Sequence, residues 1–138
     1  RRVFDEALRL YPPAWLVTRK AVHDDEINGV KIPAGSLMVV SITNVHKNMK
    51  FWKNPFIFDP DRFIQDESTD RPKFAYLPFG GGPRLCIGNH FALIEGPLVL
   101  ATIYQKFSLR LQPDLNVKVD ALVTLRPHAG LHMQVVKR

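Results

Sequence analysis

The chain of 138 residues contains a single cysteine. One thiol excludes an internal disulfide and any zinc site built on paired cysteines, and it fits a reducing, cytoplasmic setting. Long apolar runs are also missing. No stretch approaches the roughly 20 residues a helix needs to cross a bilayer, and no signal-peptide core follows Arg1-Arg2-Val3-Phe4. Those first residues have the pattern of a helix interior. The expectation is therefore one partial domain over residues 1–138, with the N-terminal portion of the same polypeptide, and any membrane anchor it carries, lying upstream of Arg1. The net charge is +6, but no Lys/Arg-rich block with interleaved aromatics occurs, so nucleic acid is not an expected partner. Scattered bases instead suit the docking of an acidic protein through the summed field. Repeats, linkers and low-complexity tracts are absent as well.

What is present divides into short patterned runs. Arg1 to Tyr11 has helical period, with Val3, Phe4, Ala7, Leu8 and Tyr11 on one face and Asp5, Glu6 and Arg9 elsewhere; Pro12-Pro13 stops it. Glu6 and Arg9 stand at i, i+3, the spacing of an exposed helical ion pair. Trp15 to Arg19 reads as a strand, Ile27 to Ile32 as a hairpin around Asn28-Gly29, and Leu37 to Val45 as an apolar, β-branched strand. Lys47 to Pro78 is mostly irregular and holds Pro55, Pro60, Pro72 and Pro78. A long irregular segment within a domain has to be fixed by side chains or serve a site. Arg62 is a candidate fixing point because its five donors can satisfy several carbonyls at once. Ile87 to Phe107 is apolar nearly all round, which predicts a helix buried on more than one face, with a bend near Leu93 to Pro97. Phe107–Leu111, Val117–Val119, Leu122–Leu125 and Leu131–Val136 read as short antiparallel strands, with turns at Pro113-Asp114 and His128-Ala129-Gly130. The class is α+β.

The cysteine sits in Phe79-Gly80-Gly81-Gly82-Pro83-Arg84-Leu85-Cys86-Ile87-Gly88, at the mouth of the long helix. Glycines let something flat approach the backbone, and a helix N-terminus favours S⁻ over SH. Several chemistries share these features. Cys86 could be a small buried hydrophobe, a redox thiol activated by Arg84, or an acyl-transfer nucleophile with His90 as base. A phosphate loop lacks its G-K-[ST] ending, and no dinucleotide fingerprint follows a strand. A thiolate ligand to a large flat cofactor is the remaining option.

Phe79-x-x-Gly82-x-Arg84-x-Cys86-x-Gly88 resembles the haem-binding loop of the cytochrome P-450 family at every defined position. Glu6-x-x-Arg9 is similar to that family's E-x-x-R helix, and Trp52-x-x-Pro55-x-x-Phe58-x-Pro60-x-Arg62-Phe63 resembles its meander. The three occur in family order. The resemblance implies the C-terminal part of the P-450 fold: a small sheet, the meander, the cysteine loop, a long helix and a C-terminal hairpin.

It further implies haem b as cofactor, with Cys86 as the axial thiolate that favours O–O cleavage. Backbone N–H groups of Ile87 and Gly88 would bond the sulfur, Phe79 would shield it, Gly82 would shape the loop, and Arg19 and Arg84 would hold the propionates. Glu6, Arg9 and Arg62 would form a buried ion network beneath the site. Trp15, Leu16 and Val17, with Ala121, Leu122 and Val123, correspond to segments over the distal face, where their apolar character implies an apolar small-molecule substrate. The implied function is a monooxygenase receiving electrons from an acidic ferredoxin, flavodoxin or flavin reductase, with Lys47, Lys50, Lys53 and Lys73 as docking candidates. Peroxide-driven, catalytically inactive and sensory relatives are the alternatives. The distal oxygen-activating helix is not within these residues, so the isolated chain is expected to be inactive.

Overall fold

The computed structural model describes residues 1–64, 71–112 and 117–138. Helix α1 (Arg2–Leu10) ends where Pro12-Pro13 cannot continue it, and the Tyr11 amide closes the last turn on the Ala7 carbonyl at 2.8 Å. Four antiparallel ribbons follow from the alternating runs: β1 (Leu16–Lys20) with β4 (Leu37–Ser41), β2 (Asp25–Ile27) with β3 (Val30–Ile32), β5 (Phe107–Leu111) with β8 (Met133–Lys137), and β6 (Val119–Ala121) with β7 (Leu125–Pro127). In the first ribbon Leu16 faces Ser41 and Lys20 faces Leu37. The mixture of helices and two-stranded ribbons is the expected α+β arrangement. The Pro113-Asp114 turn lies outside the described residues.

Three expectations need correction. The apolar run after Leu37 does not remain a strand to Val45. Ser41 accepts the Asn44 amide at 3.3 Å and caps a short helix, α2 (Ile42–His46), so hydroxyl capping ends the β-branched pattern. Helix α1 buries its charged side together with only part of its apolar one: Asp5, Glu6, Arg9 and Leu10 are inside with Leu8, while Val3 and Tyr11 are exposed. The irregular chain beyond α2 wraps the charged side and satisfies it, leaving the apolar side toward a cavity. Finally, α3 (Asn89–Lys106) has no buried residue, although it is apolar all round. Phe91, Ile94 and Leu98 are each more than 60% exposed, because the described residues supply little to cover them. Helix α3 runs as one element through Pro97.

One contact that α3 does make explains its unusual Gly96. A Cβ placed there would stand 2.2 Å from Cε2 of Phe4, so the bare backbone is what lets the α1 ring lie against α3.

The best-packed region lies between α1, α2 and the meander, where Leu8, Leu10, Ile42, Trp52 and Ala75 are buried together with Glu6, Arg9, His46 and Arg62. Trp52 donates its indole N–H to the Ala75 carbonyl at 3.1 Å. Its ring lies 5.0 Å from the Arg9 guanidinium carbon and 4.3 Å from that of Arg71, geometry in which a cation is drawn to the ring face.

Candidate functional site

Gly80 and Gly82 adopt φ of 75° and 71°, left-handed values that a side chain resists, and the positions their Cβ atoms would take are open space. Between them and the helix, a 3₁₀ turn (Gly82–Arg84) carries Arg84. The Cys86 amide donates to the Phe79 carbonyl at 3.1 Å and the Leu85 amide to the Gly82 carbonyl at 3.0 Å, so the loop closes on itself. Cys86 is therefore held out from the core; it is a free, exposed thiol. A buried apolar role is excluded.

The loop forms one side of a cavity of about 780 Å³. Phe4, Leu8, Ala14, Val17, Phe79 and Ala92 supply apolar wall, and Cys86, Arg84, Arg19 and Lys20 supply the reactive and charged groups. Neither Arg19 nor Arg84 forms an ion pair among the described residues; Arg19 donates to the Thr18 carbonyl at 2.8 Å. A thiol, two guanidiniums and glycine-bared backbone around an apolar space fit a flat, largely apolar molecule that carries anionic groups and a thiophilic metal. No hydrogen bond to the sulfur forms among the described residues, and Gly88 stands beside it, its Cβ position 3.9 Å from Sγ. The bonds assigned to the N–H groups of Ile87 and Gly88 thus rest on the resemblance alone; the Ile87 side chain is fully exposed.

Beneath the site, the Glu6–Arg9 pair is bidentate and wholly buried: Nε donates to Oε2 at 2.6 Å and Nη2 to Oε1 at 2.8 Å. Arg9 also donates to the carbonyls of His46 (2.8 Å), Pro55 (2.7 Å) and Ile57 (3.2 Å). Arg62 lies 3.4 Å from Glu6 through Nε, and its Nη groups donate to the carbonyls of Lys53 and Asn54. The Asp59 amide donates to Glu6 Oε1 at 2.9 Å. The exposed-pair reading of Glu6-x-x-Arg9 is overturned. Three carbonyls that no helix or strand could satisfy are what justify burying the guanidinium.

The distal candidates separate. Val17 lines the cavity of Cys86, whereas Trp15 and Ala121 line a second cavity of about 380 Å³ with Leu10 and Tyr11. Leu16, Leu122 and Val123 line neither. Trp15 acts instead as a tie: its indole N–H donates to the Leu122 carbonyl at 2.8 Å, and the Leu125 amide donates to the Pro13 carbonyl at 2.9 Å. His90 does not line the cavity of Cys86; its backbone amide donates to Asn89 Oδ1 at 2.7 Å.

Three contributors were not foreseen. Phe4 and Leu8 line the cavity because the apolar side of α1 faces it. His46 is fully buried, and burial, aided by the cations Arg9 and Lys47, lowers its pKa from 6.5 to about 4. Nothing local in Val45-His46-Lys47 marks it.

A family model described as cytochrome P-450 matches residues 1–131. A mycobacterial protein named as a cytochrome P-450, from Mycobacterium tuberculosis, is 44% identical over 128 residues, covering 93% of this chain and 28% of that protein. Pentalenene oxygenase of Streptomyces avermitilis is 36% identical over 99% of this chain and 30% of its own, and thromboxane-A synthase of Mus musculus is 36% identical over 99% and 26%. Among solved structures, the haem domain of cytochrome P-450DA superposes with a TM-score of 0.92 at 36% identity, over 99% of this chain and 30% of that one. A cyanobacterial structure with retinoic acid bound gives 0.94 at 33% identity, over 99% and 32%. The chain thus spans between a quarter and a third of the length of these relatives.

Proposed function

Since the chain belongs to the cytochrome P-450 family, we propose that it forms the proximal, cysteine-bearing part of a haem-thiolate monooxygenase, acting within a longer polypeptide on an apolar organic substrate. The observation that carries the reading is Cys86 exposed on an apolar cavity between two guanidiniums without carboxylate partners among the described residues. When bound, haem b supplies the redox chemistry by which one atom of dioxygen enters the substrate. Cys86 holds the iron, and Arg19 and Arg84 hold the carboxylates with charge-assisted hydrogen bonds. Phe79, which lines the same cavity and whose carbonyl accepts the Cys86 amide, would help keep water from the sulfur once the group is bound. Gly80, in the cavity wall, would present bare backbone to that group, and Gly82 would shape the loop.

The Glu6–Arg9–Arg62 network fixes the meander on which this loop rests. Val17, with Phe4, Leu8 and Ala14, presents apolar surface for the substrate in the cavity of Cys86, in keeping with the name of the pentalenene oxygenase relative. Lys50, Lys53 and Lys73 are exposed and Lys47 half-buried; the first three are the better docking groups for an acidic ferredoxin, flavodoxin or flavin reductase. If that docking holds, reversing their charge weakens the salt dependence of electron transfer; an unchanged salt slope refutes it. The test of the whole reading is Cys86→Ser in the full-length polypeptide. The thiolate-type ferrous-CO band should disappear, and a band retained unchanged would overturn the assignment.

A further inference from the structure

His46 lies at the junction of the buried ion network and the segment that leads into the cysteine loop, and every polar atom of the residue's ring and carbonyl is engaged. Arg9 Nη1 donates to the His46 carbonyl at 2.8 Å, and His46 Nδ1 faces the Arg9 carbonyl at 3.1 Å, so the two residues bond reciprocally between α1 and α2. On the far side of the ring, the Leu77 amide donates to Nε2 at 2.9 Å. An atom that accepts cannot carry a proton, which fixes the tautomer: Nδ1 bears the hydrogen and donates to Arg9, and Nε2 is bare. The ring is also stacked on Tyr76, with centroids 5.3 Å apart, and the Tyr76 hydroxyl donates to the Asp5 carbonyl of α1 at 3.0 Å.

Leu77 is two residues from Phe79, whose carbonyl receives the Cys86 amide, and its own carbonyl receives the Gly80 amide at 3.0 Å. Among the described residues Arg9 and Glu6 make no direct hydrogen bond to residues 77–88; Tyr76 and Ala75 are tied to Asp5 and Trp52, and the bond that reaches Leu77 itself comes from His46, which also bonds Arg9.

We infer that His46 is the positioning residue that fixes the entry of the cysteine loop, and hence Cys86, against the Glu6–Arg9–Arg62 network, by donating from Nδ1 to Arg9 and accepting at Nε2 from Leu77. This rests on the haem-thiolate reading for its consequence at the metal, though the clamp itself does not depend on a bound group. Second-shell partners of this kind set how firmly a ligand is presented.

Two substitutions in the full-length polypeptide separate the two bonds. His46→Gln places an amide oxygen the same number of bonds from Cβ as Nε2 and can still accept from Leu77. His46→Asn places its amide at the level of Nδ1, within reach of Arg9 but short of Leu77. The Asn variant should lose the thiolate-type ferrous-CO band in favour of the thiolate-lost form, and its Leu77 amide should exchange about tenfold faster, the effect of one missing hydrogen bond. The Gln variant should keep both properties. Equal behaviour of the two variants, whether both intact or both impaired, would overturn the inference, as would loss of the band with Leu77 still protected. Should the unsubstituted protein show no thiolate-type band, the proposed function fails, and exchange at Leu77 alone decides the clamp.

Discussion

A histidine whose Nε2 must stay bare makes the fold sensitive to acid. The pKa of His46 is lowered to about 4 in the folded chain, chiefly because burial penalises its charged form, with Arg9 and Lys47 opposing the proton and, among the described residues, no carboxylate bonded to the ring. Its unfolded value is 6.5. Between these limits the unfolded state binds more protons, so stability contributed by neutral His46 is complete above pH 6.5 and is lost as pH falls toward 4. The difference corresponds to about 3 kcal/mol at most. Urea unfolding of the full-length polypeptide should therefore show stability rising from pH 4 to 6.5, with a shallower rise in His46→Gln; identical slopes would contradict this assignment of the proton. The same residue marks a limit of sequence reading. Glu6-x-x-Arg9 and Arg62 were legible through the family pattern, but as bare spacing Glu6 and Arg9 indicated a surface pair. The carbonyls that bury Arg9 come from residues 46, 55 and 57, and the amide that engages His46 from residue 77. None of these partners is a distinctive residue type, since a backbone carbonyl or amide belongs to any residue.

At the level of elements, local patterns located most of the ribbons and helices but misjudged which surfaces they bury. They also misplaced one hairpin: the strands expected at Val117–Val119 and Leu122–Leu125 lie at Val119–Ala121 and Leu125–Pro127, with residues 122–124 bending between them. Asn28-Gly29 gave the β2–β3 hairpin because both positions adopt positive φ, 51° and 81°. Alternation in 107–111 and 131–136 gave the β5–β8 ribbon. Periodicity reports which face is apolar, however, and burial depends on what is packed there. In α1 the charged face went inside because the meander could satisfy it, and in α3 an apolar circumference met few partners. Gly96 shows the complementary case, a residue whose role appears only in contact with another helix. Alanine at 96 would put a methyl group within 2.2 Å of the Phe4 ring, and overpacking of this kind costs about 1–3 kcal/mol. Gly96→Ala should destabilise by that amount in the parent and by much less when combined with Phe4→Ala, since the smaller side chain removes the clash. A cycle in which the two effects simply add would show that the α1–α3 contact is not what Gly96 protects.

The whole chain exposes 10614 Å² at 15.8 kDa, against roughly 7,300 Å² for a compact monomer of that mass. Large apolar side chains contribute to the excess: Phe91, Ile94, Leu98 and Ile87 on and before α3 are all exposed, as are Leu122 and Val123 at the hairpin tip. So many exposed large apolar side chains are uncommon on a protein that works alone, and the chain covers only 28% of its mycobacterial relative. Both facts support the proposal that the chain acts within a longer polypeptide and that the cavity of Cys86 is shared with it. Expressed by itself, the 138-residue chain should bind an apolar fluorescent dye, associate with itself, and take up haem weakly without a stable thiolate-type ferrous-CO band. The full-length polypeptide should bind little dye and hold haem firmly. Small buried area also predicts a shallow denaturant dependence for the short chain, because the slope scales with surface newly exposed on unfolding. A monomeric, dye-silent short chain with a persistent thiolate-type band would show that these residues close the site unaided, and the proposal of a shared cavity would then fall.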